Sequence, residues 1–266
     1  MKNKSIGVFD SGLGGLTVTK EIINLLPNEN IIYFGDTARV PYGTKSKNAV
    51  VKYAKEIVRF LMTKDVKMIV IACNTASALA LEEIKSMINI PVIGVIKAGS
   101  KRAIATTVNG KIGVIATNAT IDSNAYKLAI ENLNKNVEIY QKACPLFVPL
   151  IEEGMIEDEI TDLIAKRYLS TLNNDIDTLV LGCTHYPLIK ETLSKIIGDN
   201  VTLIDSAEET AILVKNILLK LDIFKEQSTN NHQFYVSDAP EKFQKIGKLF
   251  LKSELNNVEK IDIEQY

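Results

Sequence analysis

Short runs of consecutive apolar residues, rich in Ile and Val, alternate along the chain with longer segments in which apolar residues recur every three or four positions. Eight such runs predict strands, at 5–10, 30–36, 67–73, 91–95, 111–117, 137–143, 178–183 and 201–205. Segments between them, such as AVVKYAKEIVRFLMTK (49–64) and EITDLIAKRYLSTL (159–172), have the i, i+3, i+4 spacing of amphipathic helices. Strands that are apolar on both faces and separated by helices indicate parallel sheets in an α/β protein.

The predicted strands form two series with matching spacing. Cys73 lies 66 residues after Gly7, Cys183 lies 70 residues after Gly113, and the next strand begins 18 residues after each cysteine. Each half therefore reads as β-α-β-α-β-α-β, with a cysteine after its third strand. The tail at 232–255 predicts a ninth strand and a helix. We expect two similar α/β domains with mainly parallel sheets, related by pseudo-twofold symmetry around an interdomain cleft that holds the active site. Their predicted bounds are 1–97 plus 207–266, and 98–206.

Composition narrows the class of protein. The 266 residues are 46% hydrophobic and 24% charged, which is ordinary for a globular protein. A formal net charge of −1, with no long basic run, argues against a nucleic-acid or anionic-membrane partner. The N-terminus lacks the apolar core of a signal peptide, and no apolar run approaches the ~18 residues of a membrane span. We expect a cytoplasmic protein whose three cysteines, Cys73, Cys144 and Cys183, are reduced thiols.

Two of the cysteines follow predicted strands and precede predicted helices. Ligands of open α/β sheets bind outside the carboxyl ends of the strands. Partial positive charge at a helix N-terminus lowers a thiol pKa below its usual ~8.5. A single buried cysteine is typical of core packing, but a pair at equivalent positions of two halves favours chemistry at Cys73 and Cys183. Cys144 has no counterpart in the other half, and we expect it to pack in the core.

Other chemistries fit the residues poorly. There is no CxxC pair and there are only two histidines, His185 and His232, which disfavours a zinc cage and a thiol–disulfide couple. The Gly-rich stretch after the first strand places Thr17 where the last glycine of a GxGxxG dinucleotide fingerprint belongs. Two carboxylates, Asp10 and Asp36, end the first two strands. We expect no metal and no cofactor.

Five motifs in order carry a resemblance to a known family. They are FDSGLGGLTV (9–18), YFGDTARVPYG (33–43), IACNTASA (71–78), CPLFVPLIEEG (144–154) and LGCTHYPL (181–188). Together they resemble the cofactor-independent aspartate/glutamate racemases, and within that family the glutamate racemases. Aspartate racemases typically carry Glu where this chain has His185. The chain departs from the family in GVIKAGSKRA (94–103), where a proline near Ala98 is common.

The resemblance implies interconversion of L- and D-glutamate for peptidoglycan synthesis, without pyridoxal phosphate or metal, by a protein that often forms homodimers. Two acid/base groups on opposite faces of a near-planar carbanion can invert the configuration at the α-carbon, because one removes a proton and the other returns one. This requirement explains why the cysteine occurs twice. Cys73 is then the base for D-glutamate and Cys183 the base for L-glutamate, with Asp10 and His185 assisting and Asp36 and Glu152 as further carboxylates. The implied substrate-binding residues are Asp10, Ser11, Tyr42, Gly43, Asn74, Thr75, Thr117, Thr120, Thr184 and His185.

Simpler interpretations stay open at this point. Thr75 and Thr184 are also typical N-caps, His185 can be a structural histidine, Glu152 a solvated carboxylate, and Tyr42–Gly43 a turn after a proline. Two other functions are also compatible with the sequence. One is racemisation of aspartate or another amino acid, which His185 disfavours. The other is amino-acid binding without catalysis, which the paired thiols disfavour because binding alone needs neither. Exchange of the glutamate α-proton with solvent would separate an enzyme from a binding protein.

Overall fold

The computed structural model describes residues 1–172, 175–227 and 231–266. Within these ranges the chain forms ten strands. In chain order they are β1 (Ile6–Asp10), β2 (Ile31–Gly35), β3 (Met68–Ile71), β4 (Val92–Gly94), β5 (Lys111–Ala116), β6 (Glu138–Ala143), β7 (Thr178–Gly182), β8 (Thr202–Ile204), β9 (Gln233–Val236) and β10 (Val258–Lys260).

At least one helix lies between each pair of consecutive strands in the described part of the chain. The helices are α1 (Leu16–Leu25), α2 (Lys47–Thr63), α3 (Asn74–Met87), α4 (Ile96–Thr106), α5 (Asn118–Asp122), α6 (Ala125–Glu131), α7 (Phe147–Glu152), α8 (Glu159–Leu169), α9 (Lys190–Ile197), α10 (Ala207–Lys220) and α11 (Pro240–Leu251). Short 3₁₀ turns cover Tyr42–Thr44, Tyr186–Ile189 and Ile263–Gln265. None of the helices in the described part of the chain combines the length and hydrophobicity that crossing a bilayer requires.

The strands assemble into two sheets in which every pair is parallel. The first has the order β10-β9-β2-β1-β3-β4 and the second β6-β5-β7-β8. The first four strands of the chain and the next four thus pair in the same relative order, β2-β1-β3-β4 and β6-β5-β7-β8. The α/β class with two parallel sheets, expected from the apolar runs, is confirmed. The domain bounds at 97 and 206 stay a prediction.

The C-terminal tail extends the first sheet. The predicted ninth strand is β9, which pairs with β2, and the predicted helix after it is α11. The tenth strand, β10, was missed by the sequence analysis. Its three residues, Val-Glu-Lys, are exposed or half-exposed at the sheet edge, so they carry no apolar run that could mark a strand.

Local sequence explains the main elements. Strands β1, β2, β3 and β7 are buried along their whole length because helices cover both faces of a parallel sheet. Helix α2 begins after Ser46, whose hydroxyl accepts a backbone hydrogen bond and caps the helix. Its buried stripe of Val50, Ala54, Ile57 and Leu61 follows the helical period. It packs beside α3, the helix that begins at the first strand-end cysteine.

Candidate active site

The two cysteines occupy equivalent places in the two sheets. Cys73 follows β3, which pairs with β1 and β4, and Cys183 follows β7, which pairs with β5 and β8. Cys73 caps α3, and its sulfur accepts a hydrogen bond from the backbone N–H of Ala76 at 3.4 Å. Cys183 instead precedes the 3₁₀ turn Tyr186–Ile189, so an α-helix begins directly after only one of the two thiols.

Side chains from the two sheets meet between these strand ends. The Thr184 hydroxyl donates to Asp10 Oδ1 at 3.4 Å, and the Thr17 hydroxyl reaches the Thr184 carbonyl at 3.3 Å. Gly14 permits this approach, because a Cβ there would lie 2.2 Å from Thr184 Oγ1 and 2.5 Å from His185 Nδ1. The first Gly-rich loop and the second cysteine motif therefore form one site.

Burial, and not the helix, dominates the environment of Cys73. The thiol is 5% exposed, and burial followed by the charge of Asp10 raises its pKa to about 12, against the backbone N–H of Ala76 and a hydrogen bond with Ser11. The expectation that the helix N-terminus lowers this thiol pKa is therefore wrong, since desolvation of the thiolate outweighs one N–H donor. Negative charge on Cys183 contributes to the same rise, so the two sulfurs lie within electrostatic reach of each other.

Asp10 and Ser11 lie beside Cys73, as their motif predicts. Asp10 is fully buried, and its Oδ2 accepts the backbone N–H of Gly12 at 2.9 Å. Burial raises the pKa of Asp10, and the charge of His185 and backbone N–H groups oppose that rise. The Cys73 thiol hydrogen-bonds the Ser11 hydroxyl at 3.7 Å.

His185 links Cys183 to Glu152. Its Nδ1 lies 3.9 Å from the Cys183 sulfur, and its Nε2 lies 3.0 Å from Glu152 Oε1. Burial disfavours the charged ring, but the hydrogen bonds to Cys183 and Glu152 outweigh it and raise the pKa of His185 to about 10. The ring therefore carries a positive charge beside the second sulfur at neutral pH. Glu152 is not an isolated solvated carboxylate, because it pairs with this ring.

Three threonine hydroxyls form a buried triangle across the two sheets. Thr75 Oγ1 lies 2.9 Å from Thr117 Oγ1 and 3.1 Å from Thr120 Oγ1, and the last two are 3.0 Å apart. Thr75 is not a cap, since Cys73 takes that position, whereas Thr117 caps α5. Asn74, next to Cys73, is 3% exposed. Hydroxyls and an amide thus gather beside the first thiol.

Asp36 and Tyr42, two of the predicted site residues, belong to a hydrogen-bond network with Arg39 and Ser237. Asp36 accepts hydrogen bonds from Arg39 Nε at 2.8 Å, from Ser237 Oγ at 2.8 Å and from the Tyr42 hydroxyl. In the part of the chain that the structure describes, no hydrogen bond joins Asp36 to either strand-end thiol. Gly43, in contrast, packs against the second sheet, because a Cβ there would lie 2.5 Å from Thr117 Cβ.

Two buried tyrosines support the site and were missed by the sequence analysis. The Tyr33 hydroxyl donates to the Gly12 carbonyl at 2.8 Å, in the loop that directly follows Asp10. The Tyr126 hydroxyl donates to Asn74 Oδ1 at 2.7 Å, from helix α6 to helix α3. Tyr33 lies inside a motif but in a strand, and Tyr126 lies in an ordinary amphipathic segment, so no local signal marks either hydroxyl.

Cys144 lies in the apolar core. It is fully buried, and burial raises its pKa to about 12. Its thiol faces the Lys142 carbonyl at 3.7 Å, and its own carbonyl accepts the Tyr186 hydroxyl at 2.8 Å. Across residues 1–172, 175–227 and 231–266, no group of three His, Cys, Asp or Glu side chains is arranged to hold a metal ion.

Each of the two parallel sheets carries a buried thiol at the same strand end. The chain belongs to the Asp/Glu/hydantoin racemase family, whose model matches residues 6–214. It is therefore an isomerase that acts as a racemase.

Particular relatives narrow the comparison to one branch of the family. The chain is 52% identical over 263 residues to the glutamate racemase of Geobacter metallireducens, covering 98% of this chain and 97% of that protein. Its structure is similar to the crystal structure of glutamate racemase from Francisella tularensis in complex with D-glutamate, with a TM-score of 0.94, 44% identity and 100% coverage of both chains. The Escherichia coli glutamate racemase in complex with L-glutamate and the activator UDP-MurNAc-Ala gives a TM-score of 0.80 at 27% identity, covering 97% of this chain and 98% of that one.

Proposed function

We propose that this racemase interconverts L- and D-glutamate by proton transfer between the α-carbon and two thiols, Cys73 and Cys183. The observation that carries the proposal is the placement of one thiol at the same strand end of each sheet, with side chains of both sheets meeting between them. One thiolate removes the α-proton from one face while the opposite thiol delivers a proton to the other. Relatives bound to D-glutamate and L-glutamate support the choice of substrate.

The two thiols have different surroundings before substrate binds. Cys73, with a pKa of about 12, is a neutral thiol near pH 7 and can act as an acid. Cys183 lies 3.9 Å from His185, and a charged imidazole there would stabilise a thiolate formed at this sulfur. If Cys183 is the base for L-glutamate, racemisation of that enantiomer needs Cys183 as the thiolate and Cys73 as the thiol.

Polar groups around the thiols are suited to a dicarboxylate. Thr75, Thr117 and Thr120 offer clustered hydroxyls, and Asn74 has a buried amide N–H₂ group without a hydrogen-bond partner among the described residues. Ser11 and Thr184 add hydroxyls next to Cys73 and Cys183. Neutral donors bind carboxylates without adding a charge that would disturb the thiols, and the buried site excludes water from the carbanion. Asp10 beside Cys73 and His185 beside Cys183 assist proton transfer at their respective sulfurs.

Asp36, Tyr42 and Gly43 have supporting places in this scheme. Tyr42 donates to Asp36, which is fixed by Arg39 and Ser237, and the same turn places Gly43 against Thr117. We propose that Asp36 and the Tyr42 hydroxyl hold this turn, and that the backbone at Gly43 borders the substrate. The product D-glutamate would supply peptidoglycan synthesis, and the enzyme would act in the cytoplasm as a homodimer. Each protomer would have two domains, one formed by residues 1–97 plus 207–266 and the other by residues 98–206.

Exchange of the α-proton in heavy water tests the opposed two-thiol scheme. Replacing either cysteine by serine should nearly abolish racemisation, because a hydroxyl is a far weaker acid than a thiol. Cys183→Ser should still exchange the α-proton of D-glutamate without inverting it, through Cys73, and Cys73→Ser should do so for L-glutamate. NMR of the α-proton, with chiral analysis of the product, measures exchange and inversion separately.

The third cysteine provides a matched control. Cys144→Ser makes the same replacement of sulfur by oxygen at a cysteine outside the proposed proton path. This variant should racemise glutamate at close to the wild-type rate. Exchange of the same enantiomer by both active-site variants, or full racemisation by either, would refute the opposed arrangement. If wild-type protein exchanges aspartate or another amino acid in preference to glutamate, the substrate is wrong. If it binds glutamate without any exchange, the chain is a binding protein.

A further inference from the structure

The Asn74 side chain has one satisfied end and one unsatisfied end. Its Oδ1 accepts a hydrogen bond from the Tyr126 hydroxyl at 2.7 Å. Its Nδ2 is buried and finds no hydrogen-bond partner among residues 1–172, 175–227 and 231–266. Native proteins rarely leave a buried donor unpaired, and the exceptions often mark a functional role or an absent ligand. Because Asn74 directly follows Cys73, the missing acceptor is best supplied by the substrate of that thiol.

The ring of Tyr126 is held in one position. It is fully buried on helix α6, within the core of the second sheet. Two glycines make room for it: a Cβ on Gly182 would lie 3.0 Å from Tyr126 Cε2, and a Cβ on Gly99 would lie 3.3 Å from its hydroxyl. Gly182 is also the residue immediately before Cys183. The position of the hydroxyl is therefore fixed by the same strand that carries the second thiol.

The hydroxyl is also fixed in its chemical role. Burial raises the pKa of Tyr126, so the group stays protonated and can donate. Its hydroxyl proton is directed to the Asn74 oxygen at 2.7 Å. This bond occupies the oxygen end of the amide and leaves Nδ2 as the end without a partner among the described residues. The tyrosine hydroxyl thus favours the amide orientation in which Nδ2 is free to donate to a ligand.

We propose that Tyr126 is a positioning residue that orients the Asn74 amide, so that Asn74 Nδ2 donates to a carboxylate of the bound amino acid. This inference rests on the function proposed above. The hydrogen bond runs from α6 to α3, so it forms only when the two sheets are held together. The second half of the chain thereby sets the direction of a substrate-binding group beside the thiol of the first half.

Tyr126→Phe tests the proposal with little change in packing, because the ring stays and only the hydroxyl is lost. Loss of one neutral hydrogen bond that acts equally on bound substrate and transition state should raise KM roughly 2- to 12-fold for both enantiomers, with kcat within about twofold of wild type. The matched control is Tyr168→Phe on α8, whose hydroxyl accepts from the Leu146 N–H at 3.3 Å. Its KM should equal that of the wild type.

A double-mutant cycle identifies the path of the effect. If Tyr126 acts through Asn74, then Tyr126→Phe should change KM by less than about twofold in an Asn74→Ala background. If the KM increases of the two single variants multiply in the double variant, the proposal is overturned. It is also overturned by a Tyr126→Phe enzyme with wild-type KM, or by one that loses thermal stability and kcat but not substrate affinity.

A second variant covers the case in which Tyr126→Phe does not fold. Asn74→Asp keeps an acceptor for the Tyr126 hydroxyl but replaces the amide N–H₂ by a charged oxygen. It should raise KM at least 10-fold, because the new charge repels a substrate carboxylate, and unchanged KM would overturn the proposal. A wild-type protein that does not racemise glutamate refutes the proposed function and this inference together. If the protein does racemise glutamate, but the KM effects of the Tyr126 and Asn74 substitutions are independent in the double variant, this inference alone is refuted.

Discussion

The two strand-end thiols should react with iodoacetamide at very different rates. Cys73 and Cys183 are 5% and 6% exposed, so the reagent reaches both sulfurs with similar difficulty. With a pKa of about 12, Cys73 is ionised in only about one molecule in ten thousand near pH 8. Cys183 lies 3.9 Å from His185, whose pKa of about 10 keeps the ring charged. Since the thiolate is the reactive form, Cys183 should be labelled first.

Mass spectrometry of the cysteine peptides over time provides the assay. We expect Cys73 to be alkylated about ten-thousand-fold more slowly near pH 8 than a fully ionised thiol, and Cys183 to be labelled before it. Cys144, fully buried with a pKa of about 12, is an internal control that should lag with Cys73. His185→Asn removes the counter-ion while keeping a polar side chain of similar size. It should bring the rate of Cys183 down towards that of Cys73.

The direction of the pH dependence follows from the same groups. A histidine is charged below its pKa, so the advantage of Cys183 should persist through neutral pH and shrink as pH rises through about 10. Faster labelling of Cys73 than of Cys183 would refute the reasoning from burial of Cys73 and from the charged His185 beside Cys183. So would a rate ratio that is unchanged in His185→Asn, since the counter-ion would then have no effect on the sulfur it faces.

Three further substitutions have expected outcomes. Glu152→Gln removes a charge that raises the pKa of His185, so the loss of activity on the alkaline side of the rate–pH profile, where His185 gives up its proton, should move to lower pH; an unmoved profile would exclude His185 as the source of that loss. Gly14→Ala places a Cβ 2.2 Å from Thr184 Oγ1, and displacing that loop should lower kcat/KM at least about 100-fold in a steady-state assay; wild-type activity would contradict the close approach. Cys144→Ala should keep kcat within about twofold and lose roughly 1–2 kcal/mol of unfolding free energy in a urea titration; loss of activity in the folded variant would place Cys144 in the site.

The architecture was largely predictable because it depends on patterns that are local in the chain. Apolar runs such as those that became β1 and β7 are buried on both faces, and only a parallel sheet covered by helices buries a strand in that way. The repeated spacing around Cys73 and Cys183 predicted two similar domains with mainly parallel sheets. The edge strand β10 lay beyond such reasoning, because an exposed three-residue strand is defined by its pairing with β9 and not by its composition.

Local sequence patterns predicted which residues belong to the candidate site but not the chemical state of those residues. They placed a cysteine after β3 and after β7, with Asp10 and His185 in neighbouring motifs, since strand ends and loops follow from local pattern. Burial in the folded chain raises the pKa of Cys73 against the influence of its helix, and no local pattern predicts that burial. Desolvation depends on every atom packed around a group, and those atoms come from distant parts of the chain.

The same reason explains which polar groups act together. His185 pairs with Glu152 although 33 positions separate them, and Tyr126 meets Asn74 across 52 positions. Asp36 pairs with Arg39 in its own motif and with Ser237, which lies 201 positions away. Hydrogen bonds depend on distances of about 3 Å and on direction. These are set by how the two sheets pack, and no pattern of residue types along one chain specifies them.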